Sequence, residues 1–395
     1  MFVVFQTSAA PFVQQVAQAF AEAGQLEHFY TTIYHLPDSG SRLRVVRGVP
    51  PDRITGFAWR EWIRLAAGRL DRSGRLADVV WEWSENAFAR QVAARLERGL
   101  TGVYGYEFGA RAAFARAREL GVRTVYDVPA PEPDFVHGML DAELARFPEL
   151  QTAHHRFTRP KEARRTAHRR AEWELADTVI AASNFTRNSF AQAGLDITKV
   201  RVVPYGAPEP CARETALARM AAPRGEGLRF IWAGTFGVRK GAHYLLEAWH
   251  KGHFGRHARL DVYGSIALPK TALSSLPTGI TVHGPIPHEK LLTELRQADA
   301  LIFPTLCDGF GMVATEAWSQ GTPVLTTDRA GAVDLLRDGE NGWRMEAASA
   351  DAIGECIERA LGDPAALRAM REESLATAAR WQWSDYRRAI LKATA

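Results

Sequence analysis

The stretch from residue 298 to 327 constrains the fold of this chain more than any other. The apolar run at residues 301–303 predicts a short buried strand, and the segment after it, which begins with Pro304 and holds two glycines, has the composition of a loop. The apolar spacing then becomes helical and ends at Gly321, and residues 323–325 begin another strand. This order of elements is typical of a parallel sheet that binds ligands at the carboxyl ends of its strands.

Two carboxylates bracket the loop of this unit. Asp308 lies on the loop, and Glu316 follows in the helix. A helical side chain leans toward the N-terminus of its helix, so we expect Glu316 to reach back over the loop. The free N–H groups of the first helical turn suit an anionic or hydroxyl-rich ligand, and Gly309 and Gly311 let such a ligand approach the backbone. We therefore predict that Asp308 and Glu316 act as a pair at one binding site.

Strands and helices alternate along most of the chain, which predicts an α/β protein with doubly wound parallel sheets. Its 395 residues suit two domains, each with its own core. Residues 204–210 are rich in proline and glycine and read as a linker. We predict a first Rossmann-like domain at residues 1–205 and a second at residues 206–380.

Composition excludes several classes of protein. The net charge of +4 falls short of the basic footprint of a nucleic-acid binder. Three scattered cysteines are too few for a disulfide framework or a zinc site, and no apolar run is long enough to span a membrane. Neither a dinucleotide-binding nor a P-loop glycine motif is present, which argues against a dehydrogenase or a kinase. We expect a cytoplasmic protein.

A second candidate site lies where the strand at residues 228–234 runs into a helix. Arg239 and Lys240 precede the N-terminus of this helix, where the helix dipole favours anions and not cations. A bound diphosphate would resolve the conflict, because its charge suits both the cations and the helix N-terminus.

These two segments resemble the retaining nucleotide-sugar glycosyltransferases of family 4, which have the GT-B fold. Residues 308–316 read Asp-Gly-Phe-Gly-Met-Val-Ala-Thr-Glu, where the family has Glu-Gly-Phe-Gly, four residues and Glu. Lys240 and Gly241 match a second family segment, whose early Arg is Thr235 here, so Arg239 is expected to substitute for it. The resemblance is strong from residue 177 to 342 and looser before. It implies that the C-terminal segment, residues 381–395, is a helix that packs back on the first domain.

The resemblance also implies roles for the site residues. Asp308 would hold hydroxyls of the donor sugar, Glu316 would hold the ribose, and Arg239 and Lys240 would stabilise the diphosphate as it leaves. The shorter Asp308 is expected to change the reach to the sugar. Further donor contacts are expected from Gly234, Thr235, Phe236, Gly284, Pro285, Ile286, Gly309, Phe310, Gly311 and Met312.

Three residues of the first domain are candidates as well. Glu107 and Asp127 follow predicted strands at their carboxyl ends, and we include Asp127 among the catalytic residues. Ser8 is predicted to cap a helix that has Pro11 in its first turn. It lies in the first loop, which in the family serves acceptor and donor phosphate. Many family members have a His near Tyr126.

The implied reaction moves a sugar from a nucleoside-diphosphate donor to an acceptor hydroxyl, with retention of anomeric configuration. The acceptor would be a saccharide, a lipid-linked molecule or a small molecule, in polysaccharide or glycoconjugate biosynthesis. No Asp-x-Asp motif occurs, so we expect neither a metal nor a cofactor. Two alternatives stay open: a nucleotide-sugar epimerase of similar architecture, and a catalytically silent protein that binds sugars or nucleotides.

Residues 156–170 are the most charged part of the chain, with seven basic residues and one acidic residue. A solvated helix face explains such a segment. The sharper hypothesis is peripheral contact of this segment with the anionic inner face of a membrane, where lipid-linked acceptors reside.

Overall fold

The computed structural model describes residues 1–8, 10–39, 41, 44–71, 74–221 and 227–395. Its first sheet has seven parallel strands in the order β3-β2-β1-β4-β5-β6-β7. These strands are β1 (Phe2–Phe5), β2 (Leu26–Thr31), β3 (Ile54–Gly56), β4 (Gly102–Tyr106), β5 (Arg123–Val128), β6 (Thr178–Ala181) and β7 (Val200–Val202). The helices around them are α1 (Pro11–Glu22), α2 (Ala58–Leu70), α3 (Arg75–Ala93), α4 (Arg111–Glu119), α5 (Pro133–Arg146), α6 (Ala153–Thr158), α7 (Glu162–Leu175) and α8 (Asn184–Gln192).

The second sheet has six parallel strands in the order β10-β9-β8-β11-β12-β13. They are β8 (Leu228–Ala233), β9 (Ala258–Tyr263), β10 (Ile280–Gly284), β11 (Ala300–Phe303), β12 (Val324–Thr327) and β13 (Gly342–Met345). The remaining helices are α9 (Arg213–Ala221), α10 (Ala242–Lys251), α11 (His288–Gln297), α12 (Met312–Ser319), α13 (Ala350–Gly362), α14 (Pro364–Arg380) and α15 (Trp383–Thr394). The prediction of two doubly wound sheets is confirmed.

The central strands show why the chain folds this way. Every residue of β1, β8 and β11 is buried. Helices cover both faces of a parallel sheet, so its inner strands are apolar along most of their length where a half-exposed strand would alternate. Among these three strands the exception is Arg229 of β8, which is buried and paired with Asp261 and Glu294. The run at 301–303, from which the strand was predicted, is the middle of the second sheet.

Helix α15 returns to the first domain, as predicted. Its Arg387 donates from Nε to Glu22 and from Nη1 to Gln15, both on α1, at 2.8 and 2.6 Å. Just before the helix, the indole of Trp381 donates to the carbonyl oxygen of Pro204 at 2.9 Å. The end of the chain is therefore tied to the first domain by side-chain hydrogen bonds.

The two domains meet closely at Gly309. Its carbonyl oxygen accepts hydrogen bonds from Ser183 Oγ at 2.6 Å and Thr186 Oγ1 at 3.1 Å, both in the first domain. A Cβ atom on Gly309 would lie 2.0 Å from the carbonyl oxygen of Pro129. Only glycine fits this contact, so Gly309 serves the domain interface, and it is not part of the wall of the cleft described below.

An aromatic junction lies beside this contact. Tyr205 stacks on Phe12 with ring centroids 4.8 Å apart and packs edge-on against Phe310 at 5.2 Å and Tyr386 at 5.8 Å. These rings come from the first domain, the loop after β11 and α15. The junction holds the three parts of the chain together at the edge of the space between the domains.

One expected element boundary is wrong. Helix α1 begins at Pro11 with Ala10 as its N-cap, and no side chain caps it, so Ser8 is not the cap. Pro11 at the first position explains the shift, because proline starts a helix without needing a partner for an N–H group. Among the described residues, no helix combines the length and the apolar character that crossing a membrane requires.

Candidate active site

A cleft of about 390 Å³ lies between the domains, in the size range of small-molecule sites. Its first-domain wall is small and consists of Phe12, Pro129 and Tyr205. Its second-domain wall consists of Trp232, Ala233, Gly234, Thr235, Arg239, Lys240, Phe303, Asp308, Phe310, Gly311, Met312, Val313 and Glu316. The two acids and two cations singled out in the sequence therefore share one cavity.

The loop that carries the two cations is fixed against the loop after β11. Arg239 Nη1 donates to the carbonyl oxygen of Cys307 at 2.8 Å, and the Arg239 carbonyl oxygen accepts from the N–H of Leu306 at 3.0 Å. Gly241 has a φ of 74°, and a Cβ there would lie 2.0 Å from the carbonyl oxygen of Pro304. Glycine is therefore required at 241 to bring the two segments this close.

Lys240 and Asp308 form an ion pair inside the cleft. Both side chains are mostly buried, and the ammonium lies 5.2 Å from the centroid of the Phe303 ring. Burial, and secondly the neighbouring Arg239, lower the pKa of Lys240. The carboxylate of Asp308 opposes this effect because it stabilises the charged amine. An anion that enters the cleft would compete with Asp308 for the same ammonium.

The start of α12 borders the same space. Gly311 is its N-cap, with a φ of 85°, and no side chain caps the helix. A Cβ on Gly311 would lie 2.6 Å from the Phe303 ring, so glycine is required there too. Gly311, Met312 and Val313 line the cleft, which places the uncapped helix start, with its partial positive charge, next to the two cations.

Glu316, one turn further along α12, is held by a residue that the sequence did not indicate. Its Oε1 is hydrogen bonded to Nε2 of His288, the first residue of α11, at 2.9 Å. This hydrogen bond raises the pKa of His288. A lone His at a helix start gives no signal in a sequence, because its partner lies on another helix.

The predicted donor contacts divide into two groups. Gly234, Thr235, Phe310, Gly311 and Met312 line the cleft. Phe236 is fully buried and packs edge-on against Trp232, with ring centroids 4.9 Å apart. Gly284 is the last residue of β10, the edge strand, and Pro285 and Ile286 follow it; these three residues are not part of the cleft wall.

The first-domain candidates do not reach the cleft. Asp127 is buried in the core, where it accepts a hydrogen bond from the Tyr104 hydroxyl at 2.6 Å, and burial raises its pKa to about 7. Glu107 is paired with Arg169, and burial raises its pKa as well. Ser8 is exposed and lies outside the cleft wall. Strand-end position alone therefore did not identify ligand contacts on this side.

The structure adds residues that sequence reasoning missed. Phe12, Pro129 and Tyr205 close the cleft from the first domain, and Phe303 and Trp232 supply apolar surface on the other side. Their aromatic and apolar types carried no site signal, since such residues most often belong to a core. Within the described ranges, no three or more His, Cys, Asp or Glu side chains are grouped so that they could hold a metal ion.

Solved structures with the same fold cover nearly the whole chain. Sucrose-phosphate synthase from Thermosynechococcus elongatus superposes with a TM-score of 0.68 at 18% identity, over 99% of this chain and 97% of that one. Anabaena HepE in complex with UDP superposes with a TM-score of 0.63 at 13% identity, over 99% and 98% of the two chains. At these identities the likeness shows the fold, which is the predicted GT-B fold.

Sequence comparisons match part of the chain. Residues 227–363 match the model of the family described as "Glycosyl transferases group 1". D-inositol 3-phosphate glycosyltransferase 1 of Catenulispora acidiphila is 29% identical over 194 residues, 45% of this chain and 46% of that protein. The D-inositol 3-phosphate glycosyltransferase of Xylanimonas cellulosilytica is 26% identical over 236 residues, 55% and 56% of the two chains. The chain thus spans about half the length of these two relatives.

Fold and site together define a two-domain α/β protein of the GT-B class with a charged interdomain cleft. Within it, residues 227–363 match the group 1 glycosyl transferase model. The resemblance drawn from the two sequence motifs is confirmed at this level. Both motifs, at 235–241 and 308–316, fall inside the matched residues.

Proposed function

We propose that the protein transfers a sugar from a nucleoside-diphosphate donor to an acceptor hydroxyl, with retention and without a metal ion. The observation that carries this proposal is the placement of Arg239, Lys240, Asp308 and Glu316 around one cleft. A nucleotide sugar needs this combination: cations for its diphosphate, and carboxylates for the hydroxyls of its sugar and ribose.

The donor would lie with its diphosphate toward Lys240 and the start of α12. Lys240 would then exchange Asp308 for a phosphate oxygen, which frees the Asp308 carboxylate to accept hydrogen bonds from sugar hydroxyls. Glu316, on the same helix, would hold the ribose. The Asp308 side chain is one methylene shorter than the usual Glu, so the sugar would sit closer to the loop after β11.

The reaction breaks the bond between the anomeric carbon and the diphosphate oxygen, and the electron pair remains on that oxygen. The acceptor oxygen forms the new bond on the face that the diphosphate leaves. Its proton passes to the departing phosphate oxygen, so no protein nucleophile is needed. Arg239, Lys240 and the helix N-terminus stabilise the negative charge that develops on the leaving group.

The comparisons support this donor class. HepE has been crystallised with UDP and with UDP-glucose, and several neighbours in fold are named for sugar-phosphate synthesis. We propose the same class of donor for this chain because its cleft supplies the required charges. We further propose that the protein is cytoplasmic and that its acceptor is presented at a membrane surface.

Activity and binding of matched variants test the proposal. Lys240→Ala and Glu316→Ala should each lower turnover by ~100-fold or more, about the loss of one well-placed transition-state contact. Lys251→Ala and Glu289→Ala, which change exposed residues of neighbouring helices, serve as controls. Near-normal turnover in both test variants would overturn the assignment.

Incubation of the donor without an acceptor separates the competing functions. An epimerase changes the sugar, whereas a transferase only hydrolyses it slowly. A silent binding protein shows a thermal shift with nucleoside diphosphates and no turnover with any acceptor. The shift itself is sensitive, because a ligand at 100 times its dissociation constant adds about 2.7 kcal/mol of stability.

A further inference from the structure

Exposed apolar side chains are concentrated on one helical hairpin of the first domain. Nine large hydrophobic residues are exposed in the described part of the chain, and seven of them belong to α2 and α3. The seven are Trp59, Trp62, Ile63, Leu70, Leu76, Val79 and Trp83. We call them the hairpin surface. Single exposed apolar residues are ordinary, but such a concentration marks a surface that meets something apolar.

The spacing of these residues makes the surface continuous. On α2, Trp62 and Ile63 lie three and four positions after Trp59, which places the three side chains on one helix face. The rings of Trp59 and Trp83, from the two helices, lie 5.6 Å apart and join the two stripes. Trp62 is 59% exposed and Leu70 is 83% exposed, so this apolar face points to solvent and not to the core.

Three arginines lie on the same two helices as the hairpin surface. The guanidinium of Arg60 lies 4.3 Å from the Trp59 ring centroid, and Arg69 and Arg75 are exposed on the same two helices. Several acids of the two helices are neutralised within the domain. Glu61 is buried and paired with Arg44 and Arg64.

Two further acids on α3 are neutralised by the basic segment. Lys161 and Arg165 pair with Asp78, and Arg164 and Arg165 pair with Glu82. The segment at residues 156–170, for which the sequence left a solvated helix face and membrane contact open, therefore serves first as the electrostatic partner of α3. Its other pairs are Arg159 with Asp141, Arg169 with Glu107, and Arg170 with Glu132 and Asp134. Of its seven basic residues, six are in such pairs, and Arg156 is exposed.

We propose that the hairpin surface docks on the interface of an anionic lipid bilayer. Tryptophan suits the headgroup region because its ring is apolar while its N–H bonds with water or headgroups. Arginines around it are attracted to anionic lipid. A second copy of this chain suits the surface less, because a two-fold contact would bring its cationic rim against itself.

The location of the hairpin connects this docking to the proposed reaction. On the face of α3 opposite the exposed stripe, Glu85 is buried and accepts a hydrogen bond from Thr7 Oγ1 at 2.7 Å. Thr7 lies in the loop after β1, which faces the acceptor side in the resemblance drawn above. Docking would therefore place the loop after β1, on the acceptor side, near the bilayer, with only α3 between them. This last step, unlike the docking itself, rests on the proposed function and favours a lipid-linked acceptor.

Vesicle flotation of the protein tests the docking. We expect the protein to float with phosphatidylcholine vesicles that contain phosphatidylglycerol and to float less with phosphatidylcholine alone. The double variant Trp62→Ser/Ile63→Ser should lower the partition coefficient by roughly 10-fold or more, because two side chains no longer insert. Ile266→Ser, at an exposed apolar residue of the second domain, is the matched control and should leave flotation unchanged.

A charge variant and two further measurements complete the test. Arg69→Glu/Arg75→Glu should reduce the preference for anionic vesicles. Melting temperature and thermal shift with nucleoside diphosphates should match the wild type in all variants, which separates docking from folding and from the proposed activity. Flotation of Trp62→Ser/Ile63→Ser at the wild-type level would overturn the proposal. A second pair of results would also overturn it: wild-type protein that does not bind vesicles, and a wild-type dimer in size-exclusion chromatography that Trp62→Ser/Ile63→Ser abolishes.

Discussion

The ammonium of Lys240 is paired with the carboxylate of Asp308 across the floor of the interdomain cleft. One residue comes from the loop after β8 and the other from the loop after β11, so the pair joins the two sequence motifs directly. The sequence predicted that both residues serve a donor, but not that they bind each other. In the free protein each residue occupies the charged group that the proposed donor would bind, so a donor would have to separate them.

This pairing predicts opposite effects of the two single substitutions on product binding. Asp308→Ala releases Lys240, so affinity for a nucleoside diphosphate should stay the same or increase, while turnover with the complete donor falls by ~100-fold. Lys240→Ala should weaken binding of the nucleoside diphosphate as well as turnover. Isothermal titration calorimetry with the diphosphate, beside steady-state kinetics with the sugar donor, measures both. Equal loss of diphosphate affinity in the two variants would contradict the exchange of partners.

The pair of His288 and Glu316 predicts a pH dependence of donor binding. Because Glu316 raises the pKa of His288 above its ordinary value of 6.5, the charged pair forms as pH falls through the raised pKa and is lost as pH rises above it. A charged His288 would compete with the ribose that we propose Glu316 binds. The donor KM should therefore fall as pH increases through this range.

Removing the imidazole tests this dependence. In His288→Ala the donor KM should be lower at acidic pH and nearly independent of pH. His257→Ala, an exposed histidine elsewhere in the second domain, should keep the wild-type profile. An unchanged profile in His288→Ala would show that another group governs the pH response.

The second domain could be predicted from the sequence because its signals are local. The run at 301–303, the glycines at 309 and 311, and the cations at 239 and 240 each lie in a short segment whose chemistry and geometry go together. Tertiary contact then added what no local pattern contains. The role of His288 depends on its hydrogen bond to Glu316. The role of Gly309 depends on its contact with Pro129, which is 180 positions earlier in the chain.

The first domain shows the opposite case. Glu107 and Asp127 have the strand-end positions of functional acids, yet Asp127 is buried and bonded to Tyr104, and Glu107 is paired with Arg169. The sequence does not show whether a carboxylate lines a cleft or is hydrogen bonded to a tyrosine in the core. The hairpin surface was missed for a related reason. Apolar residues at helical spacing indicate a buried face, and only the fold shows that this one is turned to solvent.

The burial of Asp127 predicts a stability effect instead of a catalytic one. Its pKa rises from 3.8 to about 7, so the folded protein holds a proton that the unfolded chain releases, and stability falls as pH increases from about 4 to about 7. Asp127→Asn cannot ionise and still accepts the Tyr104 hydrogen bond through its amide oxygen. The variant should melt at a higher temperature than wild type at pH 8 and at a similar temperature near pH 4. Turnover should remain close to wild type, and a large loss would return Asp127 to the catalytic residues.

The contact at Gly309 predicts that adding one methyl group at this position, in Gly309→Ala, pushes the two domains apart. In Gly309→Ala the new Cβ would lie 2.0 Å from the Pro129 carbonyl oxygen. Because this oxygen belongs to the backbone, no side-chain rotation can relieve the clash. The loop after β11 must move, and the hydrogen bonds from Ser183 and Thr186 to the Gly309 carbonyl oxygen weaken with it. We expect a loss of about 1–3 kcal/mol in the free energy of unfolding, the range typical of overpacking, measured by urea denaturation.

The same movement shifts Asp308 and Gly311 in the cleft, so donor affinity should fall together with stability. Ser183→Ala removes one of the hydrogen bonds without the clash and should show a smaller loss of both. Gly138→Ala is the matched control, since a Cβ at this position in α5 meets nothing within 4 Å. It should stabilise the protein slightly, by about 0.5–1 kcal/mol, because alanine favours a helix over glycine. If Gly309→Ala behaved like Gly138→Ala, the close contact between the domains at Pro129 would not exist in solution.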